Sequence, residues 1–303
     1  MTAKENYIAY CAKHPVPLFF KPYWLAIFTT QWEVIEAKKH KHIVYFVYSM
    51  EVKLQFKIIR NNFLTPYSGF LFSNPELSNT EKQSLVNTVL SQIPPFHECE
   101  IDLHPAIGCS LNFHEFTVIP KLTNILDITS MPNTIQNYKP ALKRQIKKAA
   151  KNIRIEERDD IHLFYALHEM TFLKQQKKAM TPLHAFEKVW TCCKTNEVGK
   201  LLFAIDDANQ VHAALLMAFD DNCAYYLAGG TDATFYGSGA MSYLMHTAIE
   251  KAAAMGKKKF DFEGSMIPGV NRFFRNFNPT ETHYVTLAKI DSILIKWYKK
   301  WKQ

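Results

Sequence analysis

The chain has 303 residues, 48% hydrophobic and 14% aromatic, enough for one large folded domain or two ordinary ones, and this composition excludes a disordered chain. Its 36 lysines and arginines against 28 acids give a formal charge of +8, which favours an anionic partner: a phosphorylated cofactor, RNA or an acidic membrane surface. Apolar runs such as 213–219 are strand-length and too short to span a membrane, and the opening Met-Thr-Ala-Lys-Glu-Asn has no signal core, so the cytoplasm is the expected compartment.

In chain order, strand patterns occupy 42–48 and 52–59. A helix is expected over 78–92, capped by Ser78 or Asn79, with Leu85, Val86, Val89 and Leu90 as its apolar positions. Between them, residues 64–70 are turn-rich and aromatic. Tyr67 there is either packed on the core or one wall of a substrate cleft. A further strand is expected at 98–103.

The character changes at Pro132. Pro140 suits the first turn of a helix that is expected to continue through Ile153. Leu142, Ile146, Ala149 and Ile153 form its packed face, while Lys143, Arg144, Lys147, Lys148 and Lys151 form the other. A second helix is expected over 161–177. Strands at 200–205, 211–219 and 223–228 follow, joined by Asp206-Asp207-Ala208-Asn209 and Asp220-Asp221-Asn222 as hairpin turns. After Gly229-Gly230 a loop leads to a helix over 238–255, stopped by Gly256.

A strand at 259–262, a short helix ending at Phe277 and a strand at 283–289 complete the order. The tail, 290–301, reads as amphipathic, with Ile290, Leu294, Trp297 and Trp301 on one side and Lys296, Lys299, Lys300 and Lys302 around the rest. It either packs on the domain or meets an anionic membrane. No sustained heptad run is present, so no coiled coil is expected.

The six cysteines show no Cys-x-x-Cys spacing and read as reduced thiols, and no metal site is expected. The histidines lack partners for triad or zinc chemistry. Three constellations remain. Gly237, Ser238, Gly239 and Ala240 open a helix, where backbone N–H groups face an anion. The basic helix offers Lys143, Arg144 and Lys147 to a phosphate-rich substrate. Asp261 and Glu263 leave a strand beside Arg272 and Arg275. Amine acylation needs a neutral nitrogen, a route for its proton and stabilisation of an oxyanion. Asp261 or Glu263 would take the proton or hold the ammonium, and Arg275 would act electrostatically. Of Tyr225 and Tyr226, one phenol points inward; Tyr226 is the candidate proton relay.

Phe260-Asp261-Phe262-Glu263-Gly264 and Phe274-Arg275-Asn276-Phe277 resemble the paired signature of Fem-type peptidyltransferases and related GNAT acetyltransferases, in which lysine is commoner at the position of Arg275. The resemblance extends through 143–149, through 170–176 (with Lys174 as a further substrate contact) and through 225–230, and so covers most of 132–289. It implies an α/β (α+β) fold of tandem GNAT-like domains, about 1–128 and 129–303, each a mostly antiparallel sheet flanked by helices. It also implies that 237–240 cradle the pyrophosphate of acetyl-CoA or another acyl-CoA, although Thr234 stands where glutamine or arginine is usual. Aminoacyl-tRNA is the alternative donor, and the acceptor is an amine, with a cell-envelope precursor among the candidates. A different class is a non-catalytic basic module binding RNA or anionic lipid through the 143–151 helix and the tail.

Overall fold

The structure, a computed structural model, describes the chain apart from Thr30, residues 108–109, Pro132, residues 174–178, Met180, residues 265–267 and residues 302–303, and apart from the side chains of Pro268, Tyr298, Lys300 and Trp301. Helices α1 (Ala3–Cys11) and α2 (Pro22–Leu25) precede strands β1 (Trp32–Lys39), β2 (His42–Lys53), β3 (Phe56–Arg60) and β4 (Gly69–Phe72). Helix α3 (Asn79–Leu90), β5 (Glu98–Asp102) and β6 (Thr117–Asp127) follow. Next come α4 (Asn133–Gln136), α5 (Pro140–Ala149), β7 (Ile153–Glu157), α6 (Ile161–Leu173) and α7 (Leu183–Thr195). Strands β8 (Gly199–Asp206), β9 (Val211–Phe219) and β10 (Cys223–Thr231) lead to α8 (Ala240–Ala254) and β11 (Lys259–Asp261). The chain closes with α9 (Pro268–Phe274), β12 (Thr280–Ile290) and α10 (Ile293–Trp301).

Two compact units divide the chain: Met1–Leu122 with His283–Gln303, and Thr123–Thr282. The tail thus groups with the N-terminal residues, where the sequence division at 128/129 had placed it with the C-terminal ones. The cause is strand pairing, because Thr286–Ile290 of β12 run antiparallel to Asp102–Glu98 of β5.

In the first unit the strands lie in the order β1-β2-β3-β5-β12, with β4 also on β2. Pairing is antiparallel except for β3 with β5. Ser78 and Glu81 form a reciprocal cap at the start of α3, whose Leu85, Val86 and Val89 enter a core with Ile35, Phe46, Ile101 and Leu287. The expected strands at 42–48 and 52–59 are instead β2 and β3, which meet at a hairpin turn on Leu54 and Gln55. Both turn residues have positive φ, 45° and 70°. Asn-Gly is the usual chemistry for such a turn, so Leu-Gln gives no sequence signal.

In the second unit the order is β6-β11-β10-β9-β8-β7. Helices α5 and α8 pack together, and their side of the sheet holds Leu142, Ile146, Leu215, Met217, Leu244, Ile249, Phe260 and Phe262. Helix α6 packs on β10 and against α7, which reaches β8. The basic helix is shorter than its periodicity suggested. It ends at Ala149, and Ile153 begins β7, paired with Asp206 of β8. Helix α7 and strand β6 escaped the sequence reading, β6 because Pro120 interrupts its pattern.

Gly229 and Gly230 are not a loop but the end of β10, and each glycine has a separate steric reason. A Cβ at Gly230 would lie 2.3 Å from the backbone of Leu167 and His168 on α6; one at Gly229 would lie 2.6 Å from the Tyr226 hydroxyl. Gly230→Ala is expected to destabilise the protein by about 3 kcal/mol, because helix backbone cannot rotate out of the way. Gly237→Ala meets nothing within 4 Å and is expected to change stability by no more than about 1 kcal/mol. Urea melts of the two variants check the contrast.

Candidate active site

Strands β10 and β11 run parallel through three pairs only: Cys223 with Lys259, Ala224 with Phe260 and Tyr225 with Asp261. Strand β10 then continues to Thr231 without β11. Its register with β9 slips between Tyr226 and Ala228, leaving Leu227 as an extra residue. Beyond the slip, side chains of α6 serve its backbone: His168 Nδ1 lies 3.1 Å from the Gly229 carbonyl, and the Thr231 N–H donates to Thr171 Oγ1 over 3.2 Å. Burial lowers the His168 pKa, so the ring is neutral and donates from Nδ1.

Asp261 is only 2% exposed. Its Oδ1 accepts from Thr123 Oγ1 at 2.6 Å and from the Glu263 N–H at 2.8 Å. The Phe262 N–H donates to the Asn124 carbonyl at 2.9 Å, tying the strand exit to β6. Asp261 is therefore a structural clamp. Its register partner Tyr225 is equally enclosed and donates to Asp220 Oδ2 at 2.7 Å. The chain turns out of the strand at Glu263, which is left-handed with φ 53°. A non-glycine residue there carries strain and departs from strand alternation, so Glu263 does not simply repeat the direction of Asp261.

Glu263 Oε1 is buried and, among the described residues, has no hydrogen-bond partner. Burial first, and the Asp261 charge second, push its carboxyl well above the usual carboxylate range. Burial and the Glu263 charge likewise raise the Tyr226 phenol. That phenol lies over Gly229, and its ring packs edge-on against Phe274, 5.6 Å between centroids. Asn124 adds a second buried acceptor without a described partner, Oδ1, while its amide donates to Asn271 Oδ1 at 3.0 Å. Glu263 and Tyr226 thus meet where β10 and β11 part, and Asn124 lies across the strand exit on β6. Asn124 went unread because β6 itself did.

Other expected site residues lie elsewhere. Arg275 is exposed and ion-paired with Glu281, not with either acid, because the 3₁₀ turn after α9 carries its side chain outward. Tyr67 is 0% exposed, enclosed by Phe19, His104 and Tyr284, so it is core and not a cleft wall. Lys174 lies outside the described residues. Lys143 donates to the Gln136 carbonyl at 2.9 Å, and Arg144 and Lys147 are exposed.

Gly239, with φ 78°, starts α8. A Cβ there would fall 2.8 Å from Gln145 Cγ, so this glycine lets α5 approach. Ser242 Oγ donates to Gln145 Oε1 at 3.0 Å. Ser238 Oγ accepts from the Ala240 N–H at 3.2 Å, but Gly239 gives α8 no side-chain cap, so the next N–H groups remain available to an anion. Space is open at Gly237. These residues fit the phosphates of an acyl-CoA. Among the described residues no cluster could hold a metal, and no helix is long and apolar enough to cross a membrane.

Residues 136–275 match the model of the acetyltransferase (GNAT) domain. The fold is similar to that of FemX, at TM-score 0.65 and 14% identity, over 94% of this chain and 96% of that one. It is also similar to L-PGS from Bacillus licheniformis (TM-score 0.54, 7% identity, 96% of this chain and 94% of that one). A third likeness is to the C-terminal domain of a proposed lysylphosphatidylglycerol synthetase from Agrobacterium fabrum (0.52, 9%, 85% and 84%). No curated protein matches the sequence. Residues 136–275 thus match a GNAT acetyltransferase domain, and over nearly its whole length the chain has a fold similar to that of FemX.

The raised Glu263 carboxyl has a consequence for stability. The folded protein keeps a proton that the unfolded chain has already released, so this group's contribution falls as pH rises from the ordinary carboxylate value, about 4.3, to the raised one. Glu263→Gln is expected to gain stability relative to wild type through that window. Urea midpoints measured across the window check the sign.

Proposed function

We propose that the chain transfers an acyl group to an amine nitrogen where β10 and β11 part, with an aminoacyl group on tRNA as the favoured donor. The reading rests on one observation. Strand β10 loses its neighbour after Tyr225, and the edge so exposed is bordered by a carboxyl with raised pKa and a phenol. Once ionised, the Glu263 carboxyl takes the proton from the attacking ammonium, and its raised pKa, nearer to that of an amine, favours that transfer. Tyr226 gives its proton to the departing oxygen of the donor as the acyl–oxygen bond breaks, and regains one from the newly acylated nitrogen. Backbone N–H groups at the slipped register around Leu227 stabilise the oxyanion.

The donor assignment follows from charge. Lys139, Lys143, Arg144, Lys147, Lys148 and Lys151 are exposed, and among the described residues no acid pairs with them. Helical geometry sets Arg144 and Lys148 on the edge of α5 beside Gln145, the residue that meets the start of α8. Such a face suits a polyanion and makes binding salt-dependent. The Fem-like fold over the whole chain supports the same donor, as does the aminoacyl lipid in the name of one structural neighbour. Acetyl-CoA at 237–240 is the second donor to test, and a cell-envelope amine is the acceptor class the Fem resemblance favours. A non-catalytic module would use the same face of α5 without turnover.

The test follows release of free tRNA from aminoacyl-tRNA and of free thiol from acetyl-CoA, each with amine acceptors. Wild type is expected to consume aminoacyl-tRNA. Tyr226→Phe and Glu263→Gln each lose roughly 10²-fold in rate while melting as folded proteins. Arg275→Ala stays within about threefold, since its partner is Glu281. Joint replacement of Lys143, Arg144 and Lys147 by alanine weakens tRNA binding and flattens its salt dependence. Consumption of acetyl-CoA alone would move the donor assignment. Binding of tRNA without any turnover would leave the module reading.

A further inference from the structure

Among the described side chains of α10, Lys299 ties the helix to the first unit, while Ile293, Leu294 and Trp297 face outward. The Asp291 and Ser292 N–H groups both donate to the His97 carbonyl, at 3.0 and 3.2 Å, which fixes the turn into the helix. Ser292 then caps it, accepting from the Ile295 N–H. On the inward side Lys299 reaches Glu98 at 2.8 Å and Glu100 at 3.6 Å. Ile293, Leu294 and Trp297 lie on the opposite side and are 71%, 65% and 76% exposed. A terminal helix that packs for stability alone buries its apolar stripe and leaves its lysines in water. Here Lys299 faces the unit instead, and the exposed Ile293, Leu294 and Trp297 form a row at positions i, i+1 and i+4.

We propose that α10 is a membrane-docking helix whose Ile293, Leu294 and Trp297 row enters the surface of an anionic lipid bilayer. Tryptophan flanked by aliphatic side chains suits the boundary between headgroups and acyl chains. Lys296 is exposed next to the row, and the tail sequence adds Lys300 and Lys302, while the acids nearest α10 are already engaged, Asp291 by Lys289 and Glu98 and Glu100 by Lys299. Charge complementarity therefore selects a lipid surface of negative charge. The fixed polar attachment means that docking requires no rearrangement of the unit that carries the helix.

The experiment is co-sedimentation of the full chain with vesicles of phosphatidylglycerol in phosphatidylcholine, and with phosphatidylcholine alone, alongside sedimentation velocity without lipid. Wild type is expected to bind the anionic vesicles at least about tenfold more strongly than the neutral ones. Trp297→Ser lowers that binding about tenfold or more, and Lys296→Glu lowers it on anionic vesicles only. Both variants keep the wild-type melting temperature, because the replaced side chains are exposed. Absence of vesicle binding by wild type overturns the proposal, as does equal binding by Trp297→Ser. A monomer–dimer equilibrium that Trp297→Ser abolishes, without vesicle binding, would assign the row to a second copy of the chain and also overturn it. Because the readout is lipid binding, its failure leaves the acyl-transfer reading untouched.

Discussion

Thr123 on β6 and the backbone N–H of Glu263 both donate to one oxygen of the buried Asp261 carboxylate. An ionised carboxylate removed from water is costly unless its acceptors are filled, so these bonds fix where β11 can lie. The strand is held beside β10 up to Tyr225 and is turned away at Glu263, the first residue that leaves strand geometry. Everything in the candidate site follows from that turn. It frees the edge of β10 and brings the Glu263 carboxyl to Tyr226. Asp261, which the motif presents as chemistry, does its work as architecture.

The glycines of β10 extend the same logic to both faces of the sheet. Gly230 admits the backbone of α6, whose His168 and Thr171 then satisfy groups that β11 no longer can. Gly229 admits the Tyr226 phenol on the opposite face. One strand end thus receives a helix from one side and a titratable hydroxyl from the other, and a methyl group at either position displaces its neighbour.

Charge is distributed by role. Around Glu263, burial favours the neutral forms of the carboxyl and the Tyr226 phenol, so protons are held there. On α5 the cations are exposed and mutually repulsive, an arrangement that adds little to folding and favours association with polyanions. On α10 a lysine holds the helix in place while apolar groups face outward.

Local pattern in the sequence determined much of this protein. Periodicity located α3, α5, α8 and the β8–β10 meander, and the residues around Asp261 and Phe274 carried the family resemblance that the fold and the GNAT domain match bear out. Those features are short-range: a cap, a stripe and a run of residues each reveal themselves within a few positions. What only the tertiary structure decided is long-range or conformational. The Leu54-Gln55 turn and the left-handed Glu263 lie in backbone regions that their residue types do not announce. The partners of Asp261 and Arg275, the enclosure of Tyr67 and the outward row of α10 depend on which distant residue fills each position, since Thr123 meets Asp261 across 138 positions of sequence. Alternation along a strand reports its two faces, whereas only packing decides which face meets a helix, which holds the chemistry and which is left to water.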